Sequence, residues 1–143
     1  MIVRTLMKAR KTPRKVEAGT WNSVRLLLSG DNMGFSFHIT TIYAGTTTRM
    51  QYTNHLEAVY CIRGKGEILE SATGRRYPVR AGTLYALDRN DLHELTAQTE
   101  LLLACVFNPP LRGQETHDAD GAYPTEALPI GPEHANVSPS RAG

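Results

Sequence analysis

Glu57 is hard to place without invoking chemistry. It directly precedes the apolar run Ala58–Ile62, and in an extended strand every second side chain faces the same way. Read as one strand, Gln51, Thr53, His55 and Glu57 share a face, and further on so do Thr83, Tyr85 and Leu87. Small β-barrels fill their interiors with apolar side chains unless the interior is a site. An inward carboxylate without a partner is costly, so an inward Glu57 marks a site, whereas an outward one is a solvated strand residue. Alternation alone leaves both registers open. His38 has the parity to share a face with Thr40, which makes it a further pocket candidate.

The elements that must position these residues are short apolar runs between turn signals. Val24–Leu28, Phe35–Tyr43, Glu57–Ile62, Glu67–Glu70, Tyr77–Val79, Thr83–Leu87, His93–Thr96 and Leu101–Phe107 each read as a strand. Between them lie residues 30–32, 64–66, 72–74, 81–82 and 88–91, rich in Gly, Asp and Asn, which is turn chemistry. No stretch of this central region keeps a helical apolar period, so the class is all-β, a barrel or a double sheet. Residues 1 to about 20 read as a short N-terminal element, one helical turn or two before Pro13. Beyond Asn108-Pro109-Pro110 the chain turns polar. From Pro124 on it carries four of the eight prolines and no aromatic residue, so that tail is expected to be disordered or loosely draped.

A length of 143 residues suits one domain with a sizeable core. No apolar run approaches the roughly 18 residues needed to span a bilayer, and no apolar region follows the basic N-terminus as a secretory signal requires. The two cysteines, Cys61 and Cys105, lie in strand-like runs; they exclude a disulfide framework and read as buried thiols. Six of the 16 basic residues fall in the first 15 positions, with no acid before Glu17. They read as a solvated helical face or flexible lead-in rather than a phosphate-binding arm, because the remaining chain, with 10 basic against 14 acidic residues, is a poor nucleic-acid platform.

The spacing Gly45, Gln51, Thr53, Glu57, Gly64 resembles the first motif of the cupin superfamily, with Gln51 and Thr53 where histidines usually stand. Gly82, Asp88, Asn90, His93 resembles the second, with Asp88 and Asn90 in place of the usual proline and glycine. Two of the four usual metal ligands are thus kept, Glu57 and His93. A narrower resemblance is carried by Val24–Leu28 (VRLLL), Gly34–His38 (GFSFH), Thr41–Gly45 (TIYAG), Asn54–Cys61 (NHLEAVYC), Pro78–Asp88 (PVRAGTLYALD), Cys105–Leu111 (CVFNPPL) and His117–Pro124 (HDADGAYP). These closely resemble the ectoine synthase family over about residues 1–125.

That resemblance implies a cupin-type jelly-roll barrel forming one domain over residues 1–128, with a barrel core at about 21–110, a lid segment at about 111–125 and a disordered tail at 129–143. It also implies an enzyme, a carbon–oxygen hydro-lyase closing N-γ-acetyl-L-2,4-diaminobutyrate to ectoine in compatible-solute synthesis. An amide carbonyl is a poor electrophile, so the site needs a Lewis acid or oxyanion donor, a base for the attacking nitrogen and an acid for the departing oxygen. By resemblance, a mononuclear Fe²⁺ is held by Glu57, Tyr85 and His93, a donor set for which other divalent metals could compete. On other grounds a strand tyrosine is usually core, and a histidine beside Asp91 and Glu94 usually lies in a surface turn. The substrate pocket falls to Trp21, Arg25, Thr40, Cys105 and Phe107, with Arg25 pairing the carboxylate and Trp21 and Phe107 walling the ring. Catalytic roles fall to Tyr52 as proton donor, Glu115 as holder of the ammonium and His117 as a shuttle titrating near neutrality. Gln51, where the family often has histidine, cannot supply a basic nitrogen.

The competing readings are a non-catalytic cupin that binds ectoine or a similar small zwitterion, and a cupin dioxygenase or isomerase, which generally uses more imidazole ligands than this chain offers. Cupin sheets expose strand edges and apolar outer faces that need covering, and the resemblance implies a homodimer. The expected location is the cytoplasm, with neither membrane nor nucleic acid as a partner.

Overall fold

The computed structural model describes residues 1–124. A short helix, α1 (Leu6–Ala9), capped by Thr5, precedes ten strands: β1 (Lys15–Glu17), β2 (Trp21–Leu27), β3 (Ser36–Ile42), β4 (Thr47–Met50), β5 (Leu56–Arg63), β6 (Lys65–Glu70), β7 (Arg75–Arg80), β8 (Leu84–Leu87), β9 (His93–Ala97) and β10 (Leu101–Asn108). All pairings are antiparallel. A six-stranded sheet in the order β1-β2-β3-β10-β5-β8 packs against a four-stranded sheet in the order β4-β9-β6-β7, a jelly-roll barrel.

Every run expected to be a strand falls on one, with an overhang of at most one residue at an end (Leu28, Phe35, Tyr43 and Thr83), because apolar alternation and sheet burial coincide. On β10 the inward positions Leu101, Leu103, Cys105 and Phe107 are buried while their neighbours are half-buried. Opposite them β5 turns Glu57, Val59 and Cys61 inward. Val59, Leu95, Leu103 and Phe107 lie in the core between the sheets. Gly64 joins β5 to β6 with φ +103°, and a Cβ there would run into the Glu100 carbonyl, so the hairpin demands glycine. Both cysteines are buried free thiols.

Three expectations are corrected. First, the barrel begins earlier than residue 21, because β1 adds an edge strand through Lys15↔Val24, Val16↔Ser23 and Glu17↔Asn22. Second, residues 51–55 form a connection between β4 and β5 rather than an extension of β5, so Gln51 and Thr53 owe nothing to strand parity with Glu57. Third, the N-terminal basic cluster is not all solvated. Arg4 donates two hydrogen bonds to the Asp31 carboxylate at 2.8 and 3.0 Å, and Arg14 Nη1 stands 3.8 Å from the same group. All three side chains are almost wholly buried, at 2–3% exposure. The Leu28 N–H also donates to Asp31 (2.9 Å), which fixes the single 3₁₀ turn Ser29–Asp31. Against the opposing effect of burial, the hydrogen bonds from Arg4 and from the Leu28 N–H hold Asp31 below the usual carboxylate range. The expected tail at 129–143 lies outside the described residues.

Candidate active site

The register that alternation left open resolves inward. Glu57 opens the buried face of β5, facing Phe107 of β10 on one side and Leu87 of β8 on the other. At 8% exposure, its carboxyl is pushed up to about 8 by burial, with a Cys105 thiol hydrogen bond acting in the opposite direction. Tyr85 follows on β8, opposite Val59, and burial together with the Glu57 charge holds its phenol well above the ordinary tyrosine value. His93 opens β9. It is no surface histidine: it is 1% exposed and its Nδ1 lies 2.8 Å from the Asp91 carbonyl. That contact places the proton on Nδ1 and leaves the Nε2 lone pair free. Nε2 is buried and has no partner.

Tyr85 is common to two spaces, sharing one with Glu57 and the other with His93. A narrow cavity is walled by Trp21, Ile42, Leu103 and Phe107 and carries Thr40, Tyr52, Glu57, Tyr85, Cys105 and His117. Tyr52 lies at its centre, stacked on Tyr123 at 5.1 Å, edge-on to Phe107 at 5.1 Å and 5.9 Å from the His93 ring. Its hydroxyl is 3.0 Å from His117 Nε2 and 3.2 Å from Met50 Sδ. Burial raises the Tyr52 phenol well above its ordinary value. Burial first, then the Arg25 charge, lowers His117 to about 4.

The cavity is roofed by residues 111–124, which form no strand with the barrel and are held by single tethers. Ser29 N–H donates to the Leu111 carbonyl (2.8 Å), and Leu111 N–H donates to Ser36 Oγ (3.0 Å). Arg25 donates from Nη1 to the Gly113 carbonyl at 2.7 Å and from Nη2 to the Glu115 carbonyl. Asn54 donates to the Tyr123 carbonyl (3.0 Å), and Gln51 N–H to the Gly121 carbonyl (3.1 Å). Gly121 has φ +77°, and a Cβ there would lie 2.7 Å from the Arg49 carbonyl, so the roof touches β4 only because this residue is glycine.

A model of the ectoine synthase family matches residues 1–127. The chain is 58% identical over 130 residues to the L-ectoine synthase of Hahella chejuensis, covering 91% of this chain and 98% of that protein. It is likewise 58% identical over 127 residues to the L-ectoine synthase of Vibrio cholerae, covering 88% of this chain and 91% of that one. The chain belongs to the ectoine synthase family. Among solved structures, the ectoine synthase from P. lautus superposes with a TM-score of 0.75 at 50% identity, covering 78% of this chain and 80% of that one. An RmlC-like cupin from Desulfovibrio desulfuricans, at 17% identity and a TM-score of 0.54 over 64% of this chain and 85% of that one, shares the fold alone.

Of the residues that the family resemblance singled out, Trp21, Thr40, Tyr52, Glu57, Tyr85, Cys105, Phe107 and His117 line the cavity. His93 stands behind Tyr52 and lines an adjoining cleft with Tyr85. Arg25 and Glu115 do not reach the cavity wall. The Glu115 carboxylate accepts the N–H groups of Arg112 and Gly113 at 2.6 Å each and faces Arg25 Nη1 at 3.8 Å, all buried. Both side chains are thus spent on fixing the roof, and the expected contacts of Arg25 with a substrate carboxylate and of Glu115 with an ammonium are not what this geometry provides. Arg25 still acts on the interior through its charge, which lowers both His38 and His117. The expectation that His117 titrates near neutrality is also overturned, because burial keeps the imidazole neutral down to about pH 4.

Two cavity residues escaped sequence reasoning in full. Tyr123, stacked on Tyr52 and 5.4 Å below the Arg25 guanidinium, is the only Phe, Trp or Tyr after residue 107, which is the signal that could have found it. Met50 ends β4 beside Tyr52. His38 does line the cavity, bonded at 3.0 Å to Ser36 Oγ and kept neutral by burial and by Arg25. Gln51 and Asn90, which stand at cupin motif positions, lock two loops together. Asn90 donates to the Tyr52 and His55 carbonyls (2.7 and 3.3 Å) and Gln51 donates to the Asn90 carbonyl (3.3 Å).

The interior fits a divalent cation. A buried imidazole with an orphaned, unprotonated Nε2, a buried carboxyl and a buried phenol are donors whose charged or lone-pair forms a cation stabilises. Among the described residues no three His, Cys, Asp or Glu side chains come together to hold a metal. A cation at Glu57 and His93 therefore depends on Tyr85 as the third donor.

Proposed function

We propose that this cavity closes N-γ-acetyl-L-2,4-diaminobutyrate to ectoine with loss of one water, using Fe²⁺ held by Glu57, Tyr85 and His93. The carrying observation is the orphaned, buried Nε2 of His93, which shares a cleft with Tyr85, whose side chain in turn shares the cavity with the buried Glu57 carboxyl. When bound, the metal supplies Lewis acidity to an acetamide oxygen. The free α-amine adds to the acetamide carbon, and the nitrogen sheds two protons as the oxygen departs as water. His117, neutral at physiological pH, can accept a proton from the attacking nitrogen. Tyr52, 3.0 Å from His117 Nε2, is positioned to deliver one to the departing oxygen. Trp21, Leu103 and Phe107 exclude bulk water, which favours dehydration over the reverse step. Thr40 and Cys105 offer short polar contacts on the wall, and the positive field of Arg25 favours the substrate carboxylate at the roofed end.

The decisive experiment is a paired assay on metal-stripped protein, with Fe²⁺ or without it, measuring ectoine from N-γ-acetyl-L-2,4-diaminobutyrate. Iron-dependent product is expected. Tight binding of ectoine with no turnover under either condition would overturn this reading in favour of a zwitterion-binding cupin. A homodimer is supported by apolar side chains on the outer face of the six-stranded sheet. Leu56, Tyr60 and Ile62 of β5 and Leu84 of β8 are 43–63% exposed, with Tyr60 and Leu84 paired across the ladder. A light-scattering mass equal to one 15.8 kDa chain would overturn it. A cytoplasmic location fits a soluble metabolic intermediate as substrate, and among the described residues no helix is long and apolar enough to cross a membrane.

A further inference from the structure

The barrel has a second opening, unrelated to the roof. β8 is the outer edge of the six-stranded sheet and β7 the outer edge of the four-stranded one. Along this side lies a cleft between β8 and the β6–β7 pair. Glu70, Asp88 and Asp91 line it near the surface, with Tyr77 beside Glu70 at 3.4 Å, while Tyr85 and His93 close its inner end. Among the described residues no ion pair engages any of these three carboxylates, although Arg75 stands opposite Glu70 in the β6–β7 ladder and Arg89 adjoins Asp88. His93 at the inner end is 1% exposed and its Nε2 is unpartnered. Tyr85 also lines the substrate cavity, so this one phenol is a wall common to both spaces.

We propose that this acidic side cleft is the loading port through which a divalent cation reaches Tyr85 and His93, separate from the roofed mouth that admits the organic substrate. The proposal rests on the metal reading of the Glu57, Tyr85 and His93 set. Charge separates the two routes. At the roofed end the Arg25 guanidinium sits over the Tyr123 ring and depresses both His38 and His117, a field that repels a dication and attracts a carboxylate. At the side cleft three carboxylates of one sign line a recess with a partly apolar wall of Ile68 and Leu87, the arrangement that concentrates cations and repels a substrate carboxylate. The roof residues 111–124 contribute nothing to the cleft, so loading does not require the roof to move.

The test uses the full chain stripped of metal and mixed with Co²⁺ in a stopped-flow instrument, with uptake read from the visible absorption of the bound ion and stoichiometry from elemental analysis. Glu70→Gln with Asp88→Asn is expected to slow bimolecular uptake roughly tenfold at low salt, with the difference collapsing at high salt and the dissociation rate and final stoichiometry unchanged. Asp88→Lys alone should slow it further than Asp88→Asn, and an unchanged near-UV circular dichroism spectrum checks that the variants fold alike. Uptake by the double variant as fast as by the parent at low salt, or a slowing that salt does not erase, overturns the port. The metal reading fails by a different signature: a parent chain that takes up no Co²⁺, or a Glu57→Ala variant that retains it fully.

Discussion

The walls and the roof of the cavity are built on different principles. Glu57, Tyr85 and His93 sit on strands paired to neighbours, with Glu57 between Phe107 and Leu87, Tyr85 beside Val59 and His93 between Met50 and Glu70. A shift of such a side chain must move a hydrogen-bonded ladder, so these donors are fixed before any ligand arrives. The roof carries His117 and Tyr123 over the same space with no ladder, held by isolated tethers from Ser36, Arg25, Asn54 and Gln51. Each tether can break without disturbing the sheets. The cavity thus combines a rigid set of donors with a cover whose local opening energy is separable from global unfolding.

The sharpest way to break this contrast is Glu57→Ala. Loss of one of the three proposed metal ligands is expected to abolish metal retention and to lower turnover by more than about 100-fold, beyond the usual cost of an outer-sphere change. The metal-free barrel should melt at the same temperature or higher, since a buried carboxyl is removed. Metal analysis, ectoine assay and thermal denaturation on one sample check this, and a collapsed barrel would mean that the wall is not preformed.

Arg25→Ala strikes the roof from below. It deletes the bonds to the Gly113 and Glu115 carbonyls and leaves the buried Glu115 carboxylate without its cation, a change of about 3–5 kcal/mol. Hydrogen exchange should rise across residues 111–124 while β5, β9 and β10 stay protected. Equal loss of protection in those strands would show that roof and wall are one unit.

Gly121→Ala asks the same question with a single methyl group. A left-handed backbone and a Cβ 2.7 Å from the Arg49 carbonyl should cost about 2–3 kcal/mol of roof docking. Cleavage by a protease within residues 111–124 should quicken, with thermal denaturation of the barrel nearly unchanged.

The smallest effect is a pH dependence. His117 falls from an ordinary 6.5 to about 4 when the roof is closed. The open roof therefore binds a proton more readily, and closure is fully favoured above about pH 6.5 and weakens as pH falls through that window toward 4. Between pH 7 and 5 the loss is about 2 kcal/mol, seen as rising protease sensitivity of residues 111–124. His117→Gln should flatten that profile; a profile unchanged by the substitution would remove His117 as its source.

The same division explains what was legible in the sequence. Strand positions from β5 to β10 follow from alternation and glycine turns, because a two-sheet barrel translates burial directly into a period of two. Glu57 and His93 emerge from motif spacing, since the spacing fixes how far each lies from its hairpin. β1 and β4 escape because three residues after Pro13 and the threonine-rich Thr47–Met50 carry too little apolar contrast. The pairing of Arg25 with Glu115, 90 residues apart, leaves no local trace. Nor does the burial that sets the His117 pKa, because residues 111–124 acquire an inside only by docking on strands far away in the chain.

The buried Asp31 carries a practical consequence. It grips Arg4, while two residues before it the Ser29 amide holds Leu111, where the roof begins. The first residues of the chain and the root of the roof are thus fastened to one corner. A bulky fusion at the N-terminus would pull on that corner and disturb substrate entry from across the molecule. An affinity handle or fluorophore belongs instead in the exposed turn Ser71–Gly74 between β6 and β7.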